Sequence, residues 1–429
     1  MQLLRLILIA GLWACAGASH ALDLGRIIEV TVATHPSIQS QRSLLASAQV
    51  DVSTARQQFY PTPSVAVEDV RSGPNDISYR GNASIQTYRL QQPLWTGGRL
   101  TAGLSKAEAN LQAAQHAHDD IAQQLALRSV QAWGEWYAAH LKWAALQVSM
   151  DTHQRLYEQV KRRVEDGASA AVELVLTESR LAQTMSQRKA IEAQMRAARV
   201  KIAQLMGTPV VEGEEPRQTL SFAMPDLSML EDAALARSPA LLRQRFQFDA
   251  QRAELAERQA ELWPEVYLRL ENQVGHYDSA YFNSGSVRRY FIGLSSRFGA
   301  GLSSLTQLES LQRKIDSTQS EIEAAARTTR EQIQTDWESW RALKERLPEL
   351  ERSLRATRQT ADAWDRQFLA GRKSWMEVMN TTRELLQAEL ELADARAGFE
   401  VTRWRLAITT QGWQEWVNPV APTPGPPSR

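Results

Sequence analysis

Charge gathers around two isolated glycines. Arg162, Arg163, Glu165 and Asp166 come just before Gly167, and Arg372 and Lys373 come just after Gly371. The chemistry open to such groups is ion pairing and helix termination, since Gly supplies the left-handed residue that closes a helix. An exposed ion pair contributes only about 0–1 kcal/mol, so a latch built this way needs several pairs. No catalytic set accompanies them. His116 and His118 are two residues apart, on different faces of any helix, and make poor joint metal ligands. The other histidines are scattered, and there is no phosphate loop, nucleophile elbow or zinc spacing. Helices rich in Glu and Arg hold acid pairs by chance. The sequence therefore assigns no catalytic, cofactor or metal residue, and the expectation is a protein that is not an enzyme. The 49 basic and 49 acidic side chains balance, which gives no electrostatic support for nucleic acid.

The elements that carry these clusters are long. Leu302 to Phe368 contains no Gly and a single Pro, Pro348. Trp340, Leu343, Leu347, Leu350, Leu354, Thr357, Ala361, Trp364 and Phe368 follow steps of three and four, the spacing of a helix packed along a seam. A helix over 302–369 would be about 100 Å long, and Pro348 predicts a kink or bulge near Lys344. A second long helix, 100–165, has the seam Leu100, Leu104, Ala107, Leu111, Ala114, His118, Ile121, Leu125. Trp133, Trp136, Tyr137 and Trp143 sit at helical spacing and read as interhelical packing.

The first 21 residues read as a secretory signal. Arg5 is followed by the apolar run Leu6–Ala16, and Ser19-His20-Ala21 is a small-x-small site that places cleavage between Ala21 and Leu22. The alternative is lipidation at Cys15, the only Cys, against which bulky Trp13 counts. No later stretch has eighteen consecutive apolar residues, so an exported chain without a spanning helix is expected.

The remainder repeats. Pro36 and Pro239, Pro61 and Pro264, and Gly98 and Gly301 are each 203 apart, Gly167 and Gly371 are 204 apart, and Gly207 and Gly412 are 205 apart. Each half reads helix, helix, strand, strand, long helix, shorter helix. The first repeat spans 22–206, with strands at 64–71 and 82–94. The second spans 226–416, with strands at 265–272 and 287–298. Residues 207–225 read as a linker and 417–429 as a disordered Pro-rich tail. The strands alternate: Val266, Leu268 and Leu270 face one way, Tyr267, Arg269 and Glu271 the other. Strands of nine to eleven residues are long enough to cross a bilayer when tilted. Four strands cannot close, and open edges are not tolerated in lipid. Three copies give twelve, an even number in the bacterial range. The expected fold is mainly α with a small β part, assembling as a homotrimer.

The duplicated layout, Pro93-Leu94-Trp95-Thr96-Gly97-Gly98-Arg99, Phe298-Gly299-Ala300-Gly301, and the paired sets Arg162, Gly167, Glu173, Leu174 and Arg366, Gly371, Glu377, Val378 resemble the TolC-like outer-membrane channel family over residues 22–416. The resemblance implies a trimeric β-barrel in the outer membrane continued by a periplasmic α-helical barrel. It implies a passive duct, docked by a periplasmic adaptor and driven by an inner-membrane ABC transporter or other pump. Gly167 and Gly371 become periplasmic tips, with the charged neighbours and Ser374 at the mouth. Glu173 and Glu377 stand where the family often has Asp. The run Gly371–Asn380 is similar to type I secretion members, implying a protein cargo such as an adhesin or toxin; small-molecule efflux is the alternative. From another class, a soluble periplasmic helical adaptor competes. Tyr60, Trp95, Trp263 and Phe298 near strand ends read either as a membrane-interface belt or as packing at the barrel–helix junction.

Overall fold

A computed structural model describes residues 22–73, 76, 79–211, 214–217, 220, 222–278, 286–296 and 303–417. The signal segment with Ala21 and Cys15, the run Phe298–Gly301, Leu302, and residues 418–429 lie outside the described residues. The elements in order are β1 (Leu22–Asp23), α1 (Leu24–Thr34), α2 (Pro36–Gln57), β2 (Thr62–Asp69), β3 (Ser84–Trp95), α3 (Arg99–Glu165), α4 (Ala171–Met206) and β4 (Pro216–Arg217). They continue with α5 (Leu227–Arg237), α6 (Pro239–Ala260), β5 (Glu265–Val274), β6 (Ser286–Ser295), α7 (Ser303–Leu369), α8 (Trp375–Gln411) and α9 (Gln414–Val417).

Proline sets the early boundaries. Pro36 and Pro239 open α2 and α6 at the position where a missing N–H costs nothing. Pro63 lies inside β2, which begins at Thr62, two residues before the expected start at 64. It is tolerated because β2 is an edge strand of the sheet. Pro93 sits where the β3–β5 ladder shifts register, between Pro93 and Trp95. The fourth strand ends at Ser295, short of the expected 298.

The described residues fall into two compact units, and these are not the two sequence halves. One unit draws on the described residues within 22–39, 121–238 and 328–417, the other on those within 40–120 and 239–327. Both long helices contribute to both units.

The first unit is helical, and its larger core lies around three tryptophans. Trp133 and Trp136 of α3 and Trp404 of α8 are its largest buried side chains, joined by Leu24, Ile27 and Ile28 of α1, Ile202 of α4 and Leu230 of α5. Trp133 stacks on Tyr137 at 4.9 Å, and half-buried Trp143 donates to Glu192 at 3.2 Å, so the aromatic cluster is packing. The expected linker is not slack. β4 pairs in parallel with β1, and Leu220 and Phe222 are buried in this core. Phe222 meets Trp416 edge-on at 5.7 Å.

Pro348 does not break α7, which is helical from Ser303 to Leu369. The proline is exposed, so the carbonyl it leaves unpaired faces water. Ion pairs to α8 pin the helix on either side, Arg346 with Glu391 and Glu351 with Arg396. Lys344 lies over the Trp340 ring at 4.8 Å. Of the kink or bulge expected there, the bulge is absent, since α7 is unbroken α-helix.

The second unit holds one antiparallel sheet in the order β2-β3-β5-β6. Leu104, Ala107 and Leu111 of α3 pack with Val52 and Ala55 of α2. His116 stacks on Phe246 at 5.3 Å, which gives it a packing role. Lys106 pairs with Glu257 at 2.7 Å and Arg243 with Asp120 at 2.9 Å.

Candidate functional site: two helix-turn tips and a two-faced sheet

The turns at Gly167 and Gly371 have the same geometry. Each glycine has φ +71°. Gly167 N–H donates to Val164 O at 3.1 Å, and Ala168 N–H reaches back to Arg163 O at 2.7 Å. Gly371 N–H donates to Phe368 O at 2.9 Å, and Arg372 N–H to Gln367 O at 2.8 Å. These are the paired bonds of a Schellman cap. A Cβ at either glycine would meet nothing within 4 Å. Glycine is therefore required here by backbone conformation and not by space.

The two turns differ at the following helix. Ser374 caps α8 with a full capping box. Its hydroxyl accepts from Glu377 N–H at 3.4 Å, and the Glu377 carboxylate accepts from Ser374 N–H at 3.0 Å. Lys373 Nζ meets the same carboxylate at 2.6 Å and lies over the Trp364 ring at 4.4 Å. At the first turn Ala170 holds the N-cap position without a side-chain bond, a loss worth about 1 kcal/mol. Glu173 still bonds through its backbone, donating to Ala170 O at 3.0 Å.

The Lys373 hydrogen bond, followed by those from Ser374, holds the Glu377 carboxyl at about 2. A carboxyl held lower in the folded state stabilises it above the unfolded value of 4.5, and the contribution is lost as pH falls through about 2. Opening of Trp375–Val378, read by hydrogen exchange corrected for the intrinsic rate at each pH, should then be steady from neutral pH down to about 5 and accelerate below that. In Glu377→Gln that acceleration should be missing.

The sequence reading did not find what joins the tips. Phe368 and Trp364 of α7, Leu156, Val160 and Val164 of α3, Leu174 of α4 and Trp375, Val378 and Met379 of α8 form a separate apolar cluster. Phe368 is buried, with the Arg163 guanidinium 5.0 Å from its ring centre. The signal was present, because Trp364 and Phe368 continue the seam of α7. The expected latch is not made within one chain. Among the described residues no ion pair involves Arg162, Glu165, Asp166, Arg366 or Arg372, and all five are exposed. Their charges face outward while the apolar cluster holds the turns. Val172, Val175 and Leu176 of α4, with Leu369 and Met376, add exposed apolar surface.

The sheet has two unlike faces. On one, Val65 opposes Tyr88, Leu90 opposes Leu270, and Leu268 opposes Ile292. Leu294, opposite Val266, continues the row. The members on β2, β3 and β6 are exposed, Ile292 at 78% and Tyr290, opposite Leu270, at 75%, while Val266, Leu268 and Leu270 on β5 are half-buried. On the other face Arg89 and Arg289 both reach Glu271, at 2.9 and 3.5 Å. Arg269 lies over Phe291 at 4.5 Å. β2 and β6 leave both edges of the sheet unpaired within the chain. Tyr60, Trp95 and Trp263 gather at one end of the sheet, and all three are exposed. The fourth aromatic, Phe298, lies outside the described residues.

No helix among the described residues is long and apolar enough to cross a membrane, and no His, Cys, Asp or Glu group among them could hold a metal ion.

A sequence-family model described as outer membrane efflux protein matches residues 27–208 and 230–407. No curated protein matches the chain. Among solved structures, the outer membrane protein VceC from Vibrio cholerae aligns with TM-score 0.79 at 14% identity, over 91% of this chain and 96% of that one. CusC aligns with TM-score 0.76 at 15% identity, over 93% and 95%. The Campylobacter jejuni CmeC outer membrane channel aligns with TM-score 0.75 at 12% identity, over 91% and 85%.

Proposed function

Because this chain belongs to the outer membrane efflux protein family, a family of passive channels and not of enzymes, we propose that it works as a homotrimeric duct of a tripartite export system. Three four-stranded sheets close into one barrel, with the apolar faces toward lipid and the arginine-bearing faces toward the lumen. The observation that carries this reading is the sheet itself. A sheet with one uncovered apolar face, one charged face and two open edges is unstable alone in water or lipid. Closure against copies satisfies the edges, and a bilayer satisfies the apolar face. Tyr60, Trp95 and Trp263 then form an interface belt. Family membership also sets aside the soluble adaptor reading.

The two tips are the docking ends for a periplasmic adaptor. Their outward charges and exposed apolar residues are the surface offered, and the adaptor connects the duct to an inner-membrane pump. Gly371→Pro removes the N–H given to Phe368 and forbids φ +71°. A detergent-extracted trimer that still forms but no longer co-purifies its adaptor, with export at background, is the expected result. Retained adaptor and export would sink the docking assignment, and a soluble monomer would sink the duct.

Two cargo classes fit the duct. The run Gly371–Asn380 favours type I secretion of a protein through an ABC transporter, and the family description favours efflux of small molecules. A deletion strain that loses a secreted protein supports the first, and one that gains only susceptibility to toxic compounds supports the second.

A further inference from the structure

The charged face of the sheet is unbalanced at mid-height. Glu271 stands between Arg89 on β3 and Arg289 on β6 in one row across three strands. Its carboxylate is nearly buried, and it meets Arg89 at 2.9 Å, Arg289 at 3.5 Å and Arg269 at 3.9 Å. Arg269, two residues away on the same face, is held over the Phe291 ring at 4.5 Å and near the Tyr267 ring at 5.9 Å. Gly293 leaves the room for this stack, since a Cβ there would lie 2.4 Å from Tyr267. One carboxylate thus serves three guanidiniums. The other acids of this face stand at the sheet's ends and are engaged there. Glu68 accepts from the Tyr277 hydroxyl at 2.6 Å, and Glu265 meets Arg99 at 3.3 Å. The middle of the face carries two positive charges in excess. Arg89 and Arg289 remain about half exposed toward the space in front of the sheet.

We propose that Arg89, Arg269 and Arg289 form an anion-attracting belt inside the closed barrel, so that the pore passes small anions in preference to cations. This rests on the duct reading above, which turns the arginine face inward. Threefold closure repeats the excess around one ring, and low-dielectric walls focus the field of such a ring on the lumen. Glu271 positions the belt and tempers it. It splays two arginines apart by accepting from both, and removing its charge strengthens the field.

The test uses the full-length trimer in planar bilayers with a potassium chloride gradient, read as the chloride-to-potassium permeability ratio. Wild type should favour chloride. R89Q/R289Q should lower the ratio about threefold, and E271Q should raise it. Opposite shifts from neighbouring substitutions are not what general disruption of the sheet would give. A wild-type preference for potassium, or a ratio unmoved in R89Q/R289Q, overturns the belt and leaves the duct intact. Absence of a trimer or of any conductance overturns the duct, and the belt with it.

Discussion

Phe368→Ala should loosen both tips at once. The ring is 3% exposed, in the last turn of α7, within the cluster that draws on α3, α4, α7 and α8. Removing a buried aromatic ring of this kind costs about 3–5 kcal/mol, because the cavity only partly collapses. The Arg163 guanidinium loses its ring as well, a contact worth about 0.5–1 kcal/mol at an exposed site. The loss should stay local, since the cluster is separate from the Trp133, Trp136 and Trp404 core. Amide exchange should therefore rise at the ends of α3 and α7 and the start of α8, and stay unchanged around Trp133. Adaptor binding should fall with it. Leu369→Ala is the control. That neighbour is exposed, and its truncation should cost no more than about 0.5 kcal/mol. If tip exchange in Phe368→Ala matches wild type, the apolar cluster is not what holds the turns.

Ile292→Arg should stop assembly in the membrane. Ile292 lies mid-strand on β6, opposite Leu268 and between Tyr290 and Leu294 on the uncovered face. On a lipid-facing barrel position an arginine costs about 2–4 kcal/mol near the midplane, and a trimer bears it three times. The heat-modifiable trimer should vanish from the outer membrane. Ser64→Arg, on the opposite face of β2, adds the same charge toward water and should leave trimer levels near wild type. On a water-facing sheet, Ile292→Arg would be a surface change worth about 0.5 kcal/mol at most. Normal trimer yield from Ile292→Arg would thus refute the lipid-facing assignment.

Residues that act on their own backbone were legible in the sequence. Gly167 and Gly371 announced left-handed caps, Pro36 and Pro239 marked breaks between helices, and the three-and-four spacing announced α3 and α7. Those signals are local, because a φ value or a missing N–H acts within a turn of the chain. The alternation of Val266, Leu268 and Leu270 likewise fixed which strand residues share a face. The capping box at Ser374 and Glu377 also lies within four residues, although its absence at Ala170 showed only once both turns were compared.

Only the tertiary structure decided what pairs with what. The order β2-β3-β5-β6 joins the two sequence halves through β3 and β5, and it sets Arg89 beside Glu271, 182 residues away. It likewise gathered Phe368 with Val160 and Trp375, and it drew Leu220 and Phe222 of the supposed linker into the core. Pro348 belongs to the same class, since α7 stays helical through it from Ser303 to Leu369 although the local sequence signal is for a break. Hydrogen bonds between strands and contacts between helices depend on which surfaces meet, and local periodicity shows that a surface exists without naming its partner.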